Sequence, residues 1–148
     1  MYRSIFSDLS VLRQAFGLAA VALVTACSSS TGPSSAIPLD TEFELAPGHS
    51  AVVGANGLRI QFISVPLDTR CPMGVLCIVA GEAQVQISAT QGTEASTLTL
   101  STDALRRQTV FLSYSIQLIG VTPERHQDPP NPPSSYRAQL KVSLLGPD

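Results

Sequence analysis

From Ala83 to Thr90 apolar and polar residues alternate without a break: Ala83, Val85, Ile87 and Ala89 take one side, and Gln84, Gln86, Ser88 and Thr90 the other. Successive side chains on a strand point to opposite faces, so such a segment buries one face and wets the other. The same period recurs where Leu58, Ile60 and Phe62 are separated by Arg59 and Gln61. It returns at Tyr114, Ile116 and Leu118, and again at Tyr136, Ala138, Leu140, Val142 and Leu144. After residue 40 no segment keeps a helical period over ten or more residues. The body of the chain is therefore expected to be all-β.

Turn chemistry divides these runs. Phe43 and Leu45 alternate with Glu42 and Glu44 before Pro47-Gly48. Ser50 to Val53 is stopped by Gly54-Ala55-Asn56-Gly57, in which Asn-Gly is a strong hairpin signal. The strand that follows is expected to end near Pro66. Gln91-Gly92-Thr93 turns into a strand with Leu98 and Leu100 inward, and Thr102 or Asp103 can cap a single helical turn over Ala104-Leu105-Arg106-Arg107. Val110 to Leu112 resumes extended structure, and Ile119 and Val121 widen the apolar surface of the next strand. Pro123 to Ser135 is a long irregular loop with five prolines. Seven or eight short strands at this spacing predict an antiparallel β-sandwich, immunoglobulin-like, with a small β-barrel as the alternative. The inter-sheet cysteine spacing of immunoglobulin domains is missing.

The two cysteines of the domain are local. Cys71 and Cys77 enclose five residues, among them Pro72 and Gly74, which suit a tight reversal. A redox motif would want two intervening residues, and structural zinc would need four ligands, whereas His49 and His126 lie far off in sequence. A structural disulfide is expected, with metal or redox work and a reduced thiol pair as the alternatives. Asp68, Arg70, Met73 and Glu82 belong to or flank this loop and are candidate binding residues. The other reading of the charged ones is a turn-bonding Asp68 with Arg70 and Glu82 solvated or paired across strands.

The run Asp68-x-Arg70-Cys71-Pro72-x-Gly74-Val75-x-Cys77-Ile78-x-Ala80-Gly81-x-Ala83 resembles a signature of functionally uncharacterised bacterial secreted proteins and lipoproteins. The resemblance extends to Tyr114-Ser-Ile-Gln-Leu118, Pro123 and the strand led by Tyr136. Val79 stands where that group commonly carries a Trp, and the chain contains no Trp. The resemblance implies a fold and brings no catalytic residue and no ligand.

The amino terminus reads as an address. Arg3 and Arg13 precede an almost wholly apolar run from Ala15 to Ala26, which has the layout of a signal peptide and is short for a membrane span. Leu23-Val24-Thr25-Ala26-Cys27 resembles the bacterial lipobox, which implies cleavage after Ala26 and lipidation of Cys27. Two or more acyl chains hold a protein stably on a bilayer. The expected division is therefore a signal peptide over 1–26, a flexible Ser/Pro-rich tether over 27–40 and a β-sandwich over 41–148. Ser28 rather than Asp after the cysteine points to the outer membrane of a bacterial envelope.

Of the whole chain's charge, nine Lys and Arg stand against eleven Asp and Glu. Without residues 1–26 the balance is seven against ten. With no basic patch and few aromatics, nucleic acid is not an expected partner. No Gly-x-Ser-x-Gly elbow is present, and His49 and Ser50, as neighbours on extended chain, would point apart. No catalytic set, cofactor or metal site is expected. The proline loop, with Arg125, His126 and Asp128, is the second candidate binding element, since loops of this length are often functional or disordered. The expected function is a non-enzymatic, membrane-anchored envelope lipoprotein that binds a protein or glycan partner or supports an assembly. The alternative is an inhibitor of a hydrolase, a lysozyme or a protease, acting through these loops.

Overall fold

A computed structural model describes residues 35–146. The expected signal peptide, Cys27 and most of the expected tether lie outside the described residues. Eight strands are formed among those described: β1 (Glu42–Leu45), β2 (Ser50–Val53), β3 (Leu58–Asp68), β4 (Ala83–Gln91), β5 (Glu94–Ser101), β6 (Gln108–Phe111), β7 (Tyr114–Thr122) and β8 (Arg137–Leu144). They make two antiparallel four-stranded sheets, in the orders β2-β3-β4-β5 and β1-β8-β7-β6. The sheets do not close on each other, so the chain is a β-sandwich and the barrel alternative falls away. Within each sheet most strands follow one another as hairpins, and β1 joins the second sheet by pairing with β8.

The alternation noted in the sequence is what builds the core. Ala83, Val85, Ile87 and Ala89 of β4 are all fully buried, facing Ile116, Leu118, Ala138, Leu140 and Val142 of the other sheet within one apolar cluster. Phe62, Leu58 and Ile60 of β3 complete it, each without exposed surface. Burying a side chain of this size contributes about 1.5–3 kcal/mol relative to leaving it wet, which makes the cluster the main source of cohesion.

Bulges bend two of the three longest strands. The register of β3 against β4 shifts between Phe62 and Ser64 and again between Ser64 and Leu67. Pro66 sits inside the second shift, where a missing N–H is tolerated, so β3 runs on to Asp68 rather than ending near Pro66 as expected. In β7 a shift between Leu118 and Gly120 changes the phase, which turns Val121 inward after Tyr114, Ile116 and Leu118.

The end of the expected tether is part of the domain. Ile37 forms a parallel bridge with Val53, donating its N–H to the Val52 carbonyl at 2.8 Å and accepting from Gly54 at 2.8 Å. Ile37 and Leu39 pack against the core, and the Asp40 N–H donates to the Val142 carbonyl at 2.8 Å. Ile37 and Leu39, which fall in the stretch read as tether, thus pack onto the body, because two apolar side chains there find an edge to cover.

The registers fix which loops share an end. Val53 pairs with Leu58, Gln91 with Glu94, and Phe111 with Tyr114, so the turns over 54–57, 92–93 and 112–113 lie together. Gln91 Nε2 donates to both the Asn56 carbonyl and the Tyr114 hydroxyl, at 3.2 Å each, which ties this hairpin end. Ile37 enters here. At the opposite end Asp68 pairs with Ala83, Gln84 with Ser101, and Thr122 with Arg137. The cysteine loop, the segment 102–107 and the proline loop therefore all emerge at one end, the loop end.

Candidate functional site

The base of the cysteine loop is a short irregular ladder. Thr69 donates its N–H to the Glu82 carbonyl at 2.7 Å, and Cys71 donates to the Ala80 carbonyl at 2.9 Å. The Thr69 hydroxyl donates to the same Glu82 carbonyl and accepts from the Glu82 N–H, both at 3.1 Å. Gly81 makes this crossing possible: its φ is +66°, and a Cβ there would lie 1.8 Å from the Thr69 carbonyl oxygen. Beyond the ladder the expected Cys71–Cys77 disulfide is formed, with Cα atoms 5.9 Å apart.

Arg70 joins this loop to the other sheet. Its Nε donates to Asp68 Oδ1 at 2.9 Å and its Nη2 to Asp68 Oδ2 at 2.7 Å. The same guanidinium donates to the Val121 carbonyl at 2.7 Å and the Pro123 carbonyl at 2.8 Å. The Tyr136 hydroxyl donates to Asp68 Oδ2 at 3.1 Å. Burial alone would raise the Asp68 pKa, but the hydrogen bonds and charge of Arg70 outweigh it and hold the carboxyl below its ordinary value. Arg70 is pushed up chiefly by its bonds to Asp68, and Tyr136 is pushed up by burial and by the neighbouring carboxylate. Of the two readings of these charges, the pair is a bolt between sheets, with its hydrogen-bonding groups turned inward.

Glu82 is occupied as well. Ser101 donates its hydroxyl to Glu82 Oε2, Gln84 donates to Oε1 at 3.2 Å, and Arg106 reaches both oxygens at 2.8 Å. The Ser101 bond leads in lowering the Glu82 pKa, with Gln84 next. Arg106 belongs to the single helical turn Ala104–Arg106, which Asp103 caps by accepting from the Leu105 N–H at 2.9 Å. The capping expectation holds, with Asp103 as the cap; Thr102 instead accepts from the Ala83 N–H at 2.9 Å.

The proline loop folds on itself and onto the cysteine loop. Asn131 donates to the Glu124 carbonyl at 2.8 Å and accepts from the His126 N–H at 3.2 Å. Pro133–Ser135 forms a 3-10 turn. Met73 donates its N–H to the Arg125 carbonyl at 3.0 Å, and Arg125 Nη1 donates to the Arg70 carbonyl at 3.2 Å. The two candidate loops, separate in sequence, are thus one surface, with an open cavity of about 520 Å³ between them lined by Arg70, Met73, Val121, Thr122, Glu124 and Arg125. His126 and Asp128 stand exposed on the outer side of the proline loop. His49 is at the turn before β2, its Nδ1 3.3 Å from the Pro47 carbonyl, while the Ser50 hydroxyl accepts from Arg59. These two neighbours take separate partners.

One feature of the site was not singled out from the sequence. The eleven residues Cys71 to Gly81 contain no charged, hydroxyl or amide side chain. Leu76 and Ile78 are 100% and 105% exposed, and Met73, Val75 and Val79 are also exposed. The signal was available as a wholly apolar run between cysteines, but it reads equally as a buried turn. Around the tip the loop end carries five arginines (70, 106, 107, 125, 137) and five acids (Asp68, Glu82, Asp103, Glu124, Asp128), so its charge cancels.

Among the described residues no helix is long and apolar enough to cross a membrane, and no group of three or more His, Cys, Asp or Glu side chains is gathered. The arrangement offers a projecting apolar loop, closed by a disulfide, beside an open cavity of mixed lining. No family model, curated protein or solved structure matches the chain, so the site is read from its own geometry.

Proposed function

We propose that the chain is a lipid-anchored bacterial envelope lipoprotein of the uncharacterised secreted group whose signature it resembles. Its sandwich is a non-enzymatic body that presents the loop end to a partner. The observation that carries this reading is the division of ends: the chain enters the body beside Val53, while both candidate loops emerge at the far end of β3. An anchor at Cys27, in the outer membrane by the Ser28 rule, then holds the body by one end and leaves the other free. Side chains that a recognition site would use, Arg125, His126 and Asp128, sit at that free end.

Cys27→Ser decides the anchor. The variant is expected in the soluble envelope fraction and without incorporated fatty acid, whereas the parent partitions with membranes and labels with an alkyne fatty acid. Unchanged membrane attachment of the variant overturns the proposal. The projecting loop also favours a second reading, inhibition of a hydrolase by loop insertion. Slowed turnover of a lysozyme or a protease by the purified protein, lost on changing Leu76, supports it over a structural role.

A further inference from the structure

The strongest unassigned feature is the apolar tip of the cysteine loop. Contiguous exposed apolar surface marks an interaction site where single exposed apolar residues do not, and here Met73, Val75, Leu76, Ile78 and Val79 are exposed within one loop. The disulfide and the ladder at Thr69–Glu82 hold the loop in one shape, so little conformational freedom remains to be lost on binding.

Three occupants are conceivable for such a tip: the bilayer, a second copy, or another protein. The chain's own bilayer is a poor fit. Nine residues lie between Cys27 and Ile37, and the ten residue steps span at most about 36 Å. The eleven residues of β3 alone put the loop end roughly 35 Å from that entry point. With the body upright on its tether, reaching the anchoring bilayer with the loop would demand a fully stretched tether laid along the whole body. The cancelled charge of the loop end also offers no attraction to anionic headgroups. A second copy is disfavoured by shape, because the tip stands fully exposed and the cavities beside the loop are open hollows with charged residues such as Arg70, Glu124 and Arg106 on their borders, not enclosing clefts. An apolar tip at an end where arginines and acids balance has the composition of a protein interface, apolar at its centre and polar at its rim.

We infer that Leu76 and Ile78 form a knob that inserts into a concave apolar cleft of a partner protein in the envelope, with Met73 and Val79 as its shoulders. The inference rests on the display reading above, but it concerns the tip and not the anchor. Each knob residue buries the area of one aliphatic side chain, so its loss lowers complex yield or affinity roughly 10–100-fold.

The test uses the full chain in intact cells, with a photo-crosslinking amino acid placed at Leu76 or, as a control at the hairpin end, at Asn56. The expected result is one discrete protein adduct from Leu76, identified by mass spectrometry and mapped to an apolar concavity of that protein, and absent from Asn56. Ile78→Ser should reduce this adduct tenfold or more while thermal stability is kept, since Ile78 packs against nothing. Adducts to lipid only, to a second copy only, equal adducts from both positions, or indifference to Ile78→Ser each overturn the inference. Cys27→Ser fractionation reports on the anchor separately, so a failure of either reading can be told from a failure of the other.

Discussion

Gly81→Ala probes the geometry that gives the loop its shape. An added Cβ would sit 1.8 Å from the Thr69 oxygen, 2.5 Å from the Thr69 carbonyl carbon and 3.1 Å from the Arg70 nitrogen. All three atoms are backbone, so no side chain can swing aside. The φ of +66° adds roughly 1–2 kcal/mol for any non-glycine residue. Overpacking costs typically 1–3 kcal/mol more. The sum is about 2–5 kcal/mol, and at roughly 4 °C per kcal/mol for a domain of this size the midpoint should fall by about 8–20 °C. Relief requires Thr69 and Glu82 to separate, which breaks their ladder and pulls the Glu82 carboxylate from Ser101 and Arg106. Gly74→Ala is the internal control. Its φ is +76°, yet nothing lies within 4 Å of the new methyl, so it carries only the dihedral cost of about 1–2 kcal/mol. Thermal and urea unfolding, followed by far-ultraviolet circular dichroism, measure both. If the two variants lie within about half a kcal/mol of each other, the steric reading of Gly81 is wrong.

Other expectations follow from the same end of the molecule. Asp68→Asn leaves a mostly buried guanidinium without its charge partner and should cost about 3 kcal/mol near neutral pH by urea unfolding. Asp68 and Glu82 both have depressed pKa values in the fold. Their stabilisation is therefore complete above the ordinary carboxyl range and lost as pH falls through the lower folded values. Stability of the parent should thus decline on acidification below about pH 5, and Asp68→Asn should decline less; parallel curves would count against the bolt. Replacing both Cys71 and Cys77 by Ala opens a seven-residue loop and should cost about 2 kcal/mol without loss of strand signal. Leu76→Ser and Ile78→Ser should change stability by less than about 0.5 kcal/mol, because neither side chain is packed; a larger loss by calorimetry would mean the tip folds onto the body.

What the sequence made legible was whatever depends on local period and turn chemistry. The alternation from Ala83 to Thr90 located β4 and its buried face directly, and Asp103 announced its cap by residue type. The bulges were not legible. Nothing in Ile119-Gly120-Val121 says that the register slips there, because a bulge is decided by how two strands meet and not by one strand's pattern. For the same reason Pro66 read as a stop, when it lies at a break in β3 where no ladder bond is needed. Ile37 and Leu39 were hidden in a stretch whose Ser and Pro content marks a tether, though two apolar side chains suffice to dock its end. The site was legible in its parts only. Asp68, Arg70, Glu82 and Arg125 were all marked as candidates, but their contacts span more than fifty residues of chain in the case of Arg70 with Val121 and Pro123. Such pairings depend on topology, and the alternation does not encode which strands are neighbours.

The entry of the chain at one end and the loops at the other also determine how the body bears load. A pull between residue 37 and the loop tip runs lengthwise along β3 and its neighbours. Hydrogen bonds perpendicular to the strands are then strained side by side, many at once, rather than peeled singly from an edge. The first element in that path is β1, held to β8 over only four residue pairs, with the bridge of Ile37 to Val53 ahead of it. That short seam is where such a body gives way under tension.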